Sequence, residues 1–268
     1  SGDAIQFSRY LVEAKELGKF GKITYLVQPD VKPIVERIPG IDEVYGFGEQ
    51  TTFDYDAFSS LLGIMRVLKV APENCWRSPH IITDPKLDEV WKTRINNLWD
   101  GRSPKVGLVW AGDPKHGNDH ARSIKLAEFL PMIKQGWAQW YSFQVGDALS
   151  QMAIGLLEQI NKESRSTGNL FELGSEFRDY SDTASALQQM DLLITVDTSM
   201  AHLAGCMGVP SWVLLPKPSE WRWLKEGNTT PWYKGTELFR QMEARQWGPV
   251  LANIESRLAK LQGKKAIL

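Results

Sequence analysis

The segment Asp191-Leu-Leu-Ile-Thr-Val-Asp197-Thr198-Ser199-Met200-Ala-His202-Leu-Ala-Gly205 sets an acid, two hydroxyls and an imidazole just past an apolar run. Leu192–Val196 reads as a strand covered on both faces. Asp197, Thr198 and Ser199 are helix-starting residues, because their side-chain oxygens accept from unpaired backbone N–H groups. A helix beginning there offers free N–H groups and a positive dipole end, which suits a phosphate. His202 falls one turn inside that helix and can face the same seat. An ordinary capped helix with a core histidine fits the local pattern equally well.

Three further groups of residues can take part in chemistry or binding. The loop Trp110–Ser123 carries Lys115, His116, His120 and Arg122 beyond the strand expected over Lys105–Trp110. A guanidinium there can clamp a diphosphate, and α/β proteins bind ligands beyond the carboxyl ends of their strands. The alternative is an exposed polar loop. Gly2-Asp3 opens the first helical stretch. Its carboxylate can take a proton from a hydroxyl nucleophile, or simply cap the helix. Trp221 and Trp223, past the strand expected over Pro210–Leu215, can stack on a sugar if exposed or fill a core if buried.

Other chemistries are not supported. There is no Walker sequence, no G-x-G-x-x-G fingerprint and no G-x-S-x-G elbow. His116 and His120 flank Gly117 in a loop, and Cys75 and Cys206 have no ligand spacing, so no metal site and no disulfide are expected. The chain of 268 residues has 31 Lys and Arg against 32 Asp and Glu, a net charge of −1, with the basic residues scattered. No nucleic-acid partner is expected. No apolar run approaches the roughly 18–20 residues of a membrane span, and the polar, acidic start does not read as a signal peptide.

The elements that must position these residues alternate. Strands are expected over 22–28, 43–46, 105–110, 139–144, 169–173, 192–196, 210–215 and 236–240. Helices are expected from Gly2-Asp3, over 31–38, from Asp84-Pro85, and over 126–134, 148–160, 181–190, 198–207 and from Pro249 onward. Leu87, Val90, Trp91, Ile95 and Leu98 share one face of the helix that Pro85 starts; Val250, Ile254, Leu258 and Leu261 share a face of the last. Asp54–Leu62 reads as a strand or turn, and the chain from there to Pro85 as irregular. Asp100-Gly-Arg-Ser-Pro104 is the linker candidate, dividing residues 1–101 from 102–268. Alternating strands and helices mean an α/β protein with parallel sheets, here two doubly wound halves.

The stretch DLLITVDTSMAHLAGCMGVPSWVLLPKPSEWRWLKEGNTTPWYKGTELFRQ closely resembles the C-terminal domain of heptosyltransferase-like, family nine glycosyltransferases. The likeness is greatest to the branch often found behind tetratricopeptide repeats in bacterial proteins. KVGLVWAGDPKHGNDHARSIKL is similar to the same branch, and GDAIQFSRYL to the family's first-domain GD motif. The resemblance implies a GT-B fold, two Rossmann-like domains with parallel sheets facing across a cleft. It implies an inverting, metal-independent transfer of a hexose or heptose from a nucleotide-diphosphate sugar to a hydroxyl on a glycan, lipid-linked or protein acceptor, with no separate cofactor.

By this resemblance Asp3 is the base. Asp197, Thr198 and His202 match the D-T-x-x-x-H of the donor diphosphate site, with Ser199, Lys115, Arg122 and Gln144 beside them. The resemblance further implies a cytoplasmic protein, free or at the inner face of the membrane, and a tetratricopeptide region in a longer parent chain. Two departures stand out: the strand that precedes the GD motif in the family is not in this sequence, and Gln144-Val145-Gly146 replaces a Gln-Lys-Gly, removing a cation. A non-catalytic GT-B-like module that binds a nucleotide or a protein is the alternative.

Overall fold

The computed structural model describes residues 1–18, 20–49, 52–152, 162 and 170–262. Its larger sheet is parallel and contains β3 (Lys105–Val109), β4 (Gln139–Ser142), β5 (Leu170–Glu172), β6 (Leu192–Val196), β7 (Ser211–Leu215) and β8 (Thr236–Arg240). Their order is β5-β4-β3-β6-β7-β8. Counted from β3, that is the 3-2-1-4-5-6 order of doubly wound dinucleotide folds. The winding reverses between β3 and β6. Val106 pairs with Leu192 and Val109 with Thr195, so these two strands end level at the reversal.

Both faces of this sheet are covered, which is why its strands read as unbroken apolar runs. On one face Val106, Leu108, Ile194, Val196 and Leu214 pack with Phe129 and Ile133 of α7 (Leu126–Ile133) and with Ile254 and Leu258 of α10 (Gly248–Gln262). On the other, Val109, Leu193, Val213 and Leu215 pack with α8 (Tyr180–Leu187) and α9 (Ser199–Met207). α9 ends at Gly208, whose φ of 77° is the left-handed geometry glycine adopts freely.

The first half is smaller. β1 (Thr24–Val27) and β2 (Glu43–Gly46) pair in parallel. Around them lie α1 (Gly2–Phe7), α2 (Arg9–Glu16), α3 (Lys32–Val35), α4 (Leu61–Val67) and α5 (Pro85–Asn96). The apolar cluster over the second face of the large sheet continues into this half through Ile5, Phe7, Tyr10, Val27, Trp91 and Ile95. α1 packs on α9 and α5 on α8. Trp91 Nε1 donates to Asp182 Oδ1 at 3.0 Å, joining the halves by a polar bond within the apolar contact.

Arg9 is buried at the same seam. Its Nε donates to the Gln6 carbonyl at 2.9 Å, Nη1 to the Trp232 carbonyl at 3.0 Å, and Nη2 to Cys206 Sγ at 3.0 Å. The linker candidate is a held turn: Asp100 accepts from Ser103 N at 2.8 Å and Ser103 Oγ at 2.6 Å. Gln139 Oε1 of β4 accepts from Asp100 N at 2.8 Å.

Several expectations need correction. Residues 54–62 form no strand. Instead α4 starts at Ser60, whose Oγ accepts from Gly63 N at 3.1 Å, and it occupies part of the stretch expected to be irregular. Val90 is 60% exposed and does not share the buried face of α5 with Trp91 and Ile95. The loop 111–123 contains a short helix, α6 (Asp119–Arg122). Of the helix expected over 148–160, residues 147–152 form a 3-10 turn and 153–160 lie outside the described residues, as do Asn169 at the head of β5 and the side chain of Leu261. Cys75 and Cys206 are both buried, each as a free thiol. No described helix is long and apolar enough to cross a membrane.

Candidate functional site

The level ends of β3 and β6 make the crevice at which such a fold binds its ligand. Past β6, Thr198 Oγ1 caps α9, accepting from Met200 N at 3.3 Å and lying 3.2 Å from Thr195 Oγ1. Ser199 Oγ lies 2.6 Å from the Tyr180 hydroxyl. The positive end of the α9 dipole therefore faces the crevice with a hydroxyl beside it.

The loop after β3 folds over the same point. Arg122 Nη1 donates to the Asp197 carbonyl at 2.8 Å, and its Nε pairs with Asp119 Oδ1 at 3.2 Å. Gly112 makes this possible, since a Cβ there would run into the Arg122 guanidinium and the Asp119 carboxylate. Ser123 Oγ accepts from Gly112 N and donates to Asp119 Oδ1, both at 2.9 Å.

Gln144 is the root of this loop. Its Oε1 accepts from Trp110 N at 3.1 Å and Ala111 N at 3.0 Å; its Nε2 donates to the carbonyls of Ala111 at 3.1 Å and Val145 at 2.9 Å. Both donors and both lone pairs are used. In this structure Gln144 braces the crevice wall. Lys115 stands exposed on the outer part of the loop.

Asp197 accepts from Trp223 Nε1 at 2.8 Å. Burial pushes its carboxyl above the ordinary carboxylate range, against the pull of the Trp223 bond and the Arg122 charge. His202 is buried, with Nδ1 2.8 Å from the Tyr233 hydroxyl. Its ring lies on that of Trp223, centroids 5.3 Å apart and planes 8° apart. Burial, reinforced by the Arg222 and Arg9 charges, pulls the imidazole down to about 3, so it is neutral at ordinary pH.

The two tryptophans grouped by sequence separate here. Trp223 is fully buried (0% exposed) with a face against His202, so it presents no surface to a sugar; Trp221 is 54% exposed. The turn that holds them is gripped by Arg240. Its guanidinium donates to the Gly227 carbonyl at 2.6 Å, to Ser219 Oγ at 3.0 Å and to the Trp223 carbonyl.

Asp3 reaches this site from the other half. Its Oδ1 pairs with Nη2 of Arg222, the residue between the two tryptophans. Gly2, just before it, lies against α9: a Cβ there would be 3.1 Å from His202 Cδ2 and 3.6 Å from Ser199 Cα. The structure thus gathers Arg122, Asp197, Thr198, Ser199, His202 and Trp223 at one strand edge and sets Asp3 against it. Arg222, Tyr180 and Tyr233 belong to the same cluster and were not legible in the sequence. The one signal for Arg222 was its place between two candidate tryptophans; Tyr180 and Tyr233 had none. Among the described residues no group of three or more His, Cys, Asp or Glu could hold a metal ion.

No family model matches the chain. Protein FlbA of Caulobacter vibrioides is 23% identical over 277 residues, covering 96% of this chain and 44% of that protein. The chain thus spans less than half the length of this relative. The family nine glycosyl transferase of Veillonella parvula superposes with a TM-score of 0.65 at 13% identity, over 97% of this chain and 92% of that one. The ADP-heptose lps heptosyltransferase II of E. coli superposes with a TM-score of 0.58 at 10% identity, over 96% of each chain. The chain has the GT-B fold of these family nine glycosyltransferases.

Proposed function

We propose that the chain is a glycosyltransferase that moves a sugar from a nucleotide-diphosphate sugar to a hydroxyl acceptor, with inversion and without a metal. The observation that carries this reading is the placing of Asp3 against the crevice formed by Arg122 and the start of α9. The donor's diphosphate would rest on the first turn of α9, with the Ser199 hydroxyl and the Arg122 guanidinium on its oxygens. As the bond from the anomeric carbon to the diphosphate oxygen breaks, negative charge grows on the leaving group. Donors already aimed there stabilise that state more than the ground state.

Asp3 would accept the proton of the acceptor hydroxyl, whose oxygen forms the new bond on the face opposite the departing diphosphate. Glycosyl transfer of this kind passes through an oxocarbenium-like state, as glycoside hydrolysis does. The exposed face of Trp221 suits a sugar ring.

Thermal-shift and calorimetric titration with ADP, UDP and GDP tests the nucleotide site. One of them is expected to raise the melting temperature. Transfer and donor hydrolysis are then followed across a panel of sugars on that nucleotide, where Asp3→Asn is expected to abolish transfer while nucleotide binding persists. Absence of stabilisation by all three at about millimolar ligand overturns the reading.

A nucleotide-binding module without transfer is the second reading. It is favoured by Val145, an apolar side chain 53% exposed beside Gln144, where the family resemblance leads one to expect a lysine. Stabilisation by a nucleotide with no turnover of any sugar in the panel selects it.

A further inference from the structure

We propose that Arg222 is an exchangeable cation, held by Asp3 in the unliganded protein and taken over by the diphosphate of a bound nucleotide. Loading the donor would thereby free the Asp3 carboxylate for the acceptor hydroxyl. This rests on the nucleotide-diphosphate reading of the site and adds to it a partner change that orders the two substrates.

Arg222 is built to stay while its partner changes. Its side chain is 13% exposed, and its Cζ lies 4.9 Å from the Trp221 ring centroid and 5.4 Å from that of Phe7. Glu220 holds it from within the same turn: Oε1 takes Nη1 at 2.5 Å, and Oε2 accepts from Arg222 N at 3.0 Å. Nη2 faces Asp3 on α1, a carboxylate 62% exposed. An ion pair with one side open to water is weak. The buried Nε has no hydrogen-bond partner, so a donor of the fork is unspent.

The guanidinium also acts on the crevice. Its charge lowers the pKa of both His202 and Asp197, which places it within electrostatic reach of the start of α9. A diphosphate seated there brings more than one negative charge and paired oxygens that match a guanidinium fork. It would outcompete a single exposed carboxylate. Until it arrives, Arg222 holds Oδ1 of Asp3 and leaves the acceptor only the other carboxylate oxygen.

The test is a double-mutant cycle on nucleotide affinity, read by calorimetry with whichever of ADP, UDP or GDP binds the unaltered protein best. Arg222→Gln is expected to weaken binding about tenfold or more. Asp3→Asn is expected to tighten it about three- to tenfold, because the competitor for Arg222 is gone. In the Arg222→Gln background that gain should vanish. An equal gain in both backgrounds means that Asp3 acts only as a like charge near the ligand, and overturns the exchange. Unchanged affinity in Asp3→Asn overturns it too.

If Arg222→Gln does not fold, Arg222→Lys carries the cycle: it keeps the charge without the fork and should retain a reduced gain from Asp3→Asn. Lack of any nucleotide binding by the unaltered protein overturns the nucleotide reading and the exchange together. Binding with a flat cycle overturns the exchange alone.

Discussion

Trp223 and Asp197 meet through a 2.8 Å hydrogen bond between residues 26 apart in sequence, and that bond ties the turn after β7 to the end of β6. Trp223→Phe keeps a ring against His202 but leaves the Asp197 carboxylate without this donor. The expected cost is about 1–3 kcal/mol, read by urea denaturation. Unchanged stability would show that the bond does not hold the turn.

Gln144→Leu is expected to loosen the crevice wall before it affects anything else. The Trp110 and Ala111 amides lose their acceptor and should exchange with solvent markedly faster, while amides inside β6 keep their protection. Uniform exchange changes across the sheet would show a general destabilisation instead.

Stability should fall as pH drops below about 6.5, the ordinary histidine value. His80 and His202 are both pulled down to about 3, by burial first and then by the Arg9 charge on His80 and the Arg222 charge on His202. The unfolded chain therefore takes up protons that the folded one refuses. Their contribution is complete above that pH and is lost as pH falls toward the folded values. At pH 5 each costs about 2 kcal/mol relative to neutral pH. Asp182 behaves differently: bonds from Arg178 and Trp91 hold it below the ordinary carboxylate range in spite of burial. Its contribution is lost only below about pH 4. Urea midpoints that are equal at pH 7 and pH 5 would contradict the histidine account.

Gly205→Ala should destabilise by about 1–3 kcal/mol or more, because a Cβ there runs into the Tyr233 ring. Since Tyr233 holds His202, nucleotide affinity should fall in the same variant. Wild-type melting behaviour would mean that the ring moves aside freely.

What was legible in the sequence was local. Leu192–Val196, Glu43–Gly46 and Thr236–Arg240 were expected at the bounds the structure shows, because each is a compact run bracketed by turn and cap residues. The parallel sheet and the crevice followed from that alternation. α4 was missed although Leu61, Ile64, Met65 and Leu68 keep helical spacing and pack half-buried on the core, because Gly63 and the exposed Leu62 and Val67 blur that short period and its Ser60 cap alone is a weak sign. Trp221 and Trp223 have the same local surroundings, and only packing sorts one to the surface and one to the core. The Arg222–Asp3 pair spans 219 positions, which no spacing rule reaches. Gln144 was expected near the donor, yet its saturated bonding depends on where the backbone of Trp110 and Ala111 lies.

Arg9 constrains how the halves can part. Its guanidinium is sealed among the Gln6 and Trp232 carbonyls and the Cys206 thiol, with the Tyr233 ring 4.9 Å away. A slight gap would take away the Trp232 carbonyl and the Cys206 thiol before water could replace them, a cost that a partial opening does not recover. The seam acts as a clasp, shut or undone with little in between. Residues 1–101 and 102–268 should therefore melt in one cooperative step, and neither should fold when expressed apart from the other.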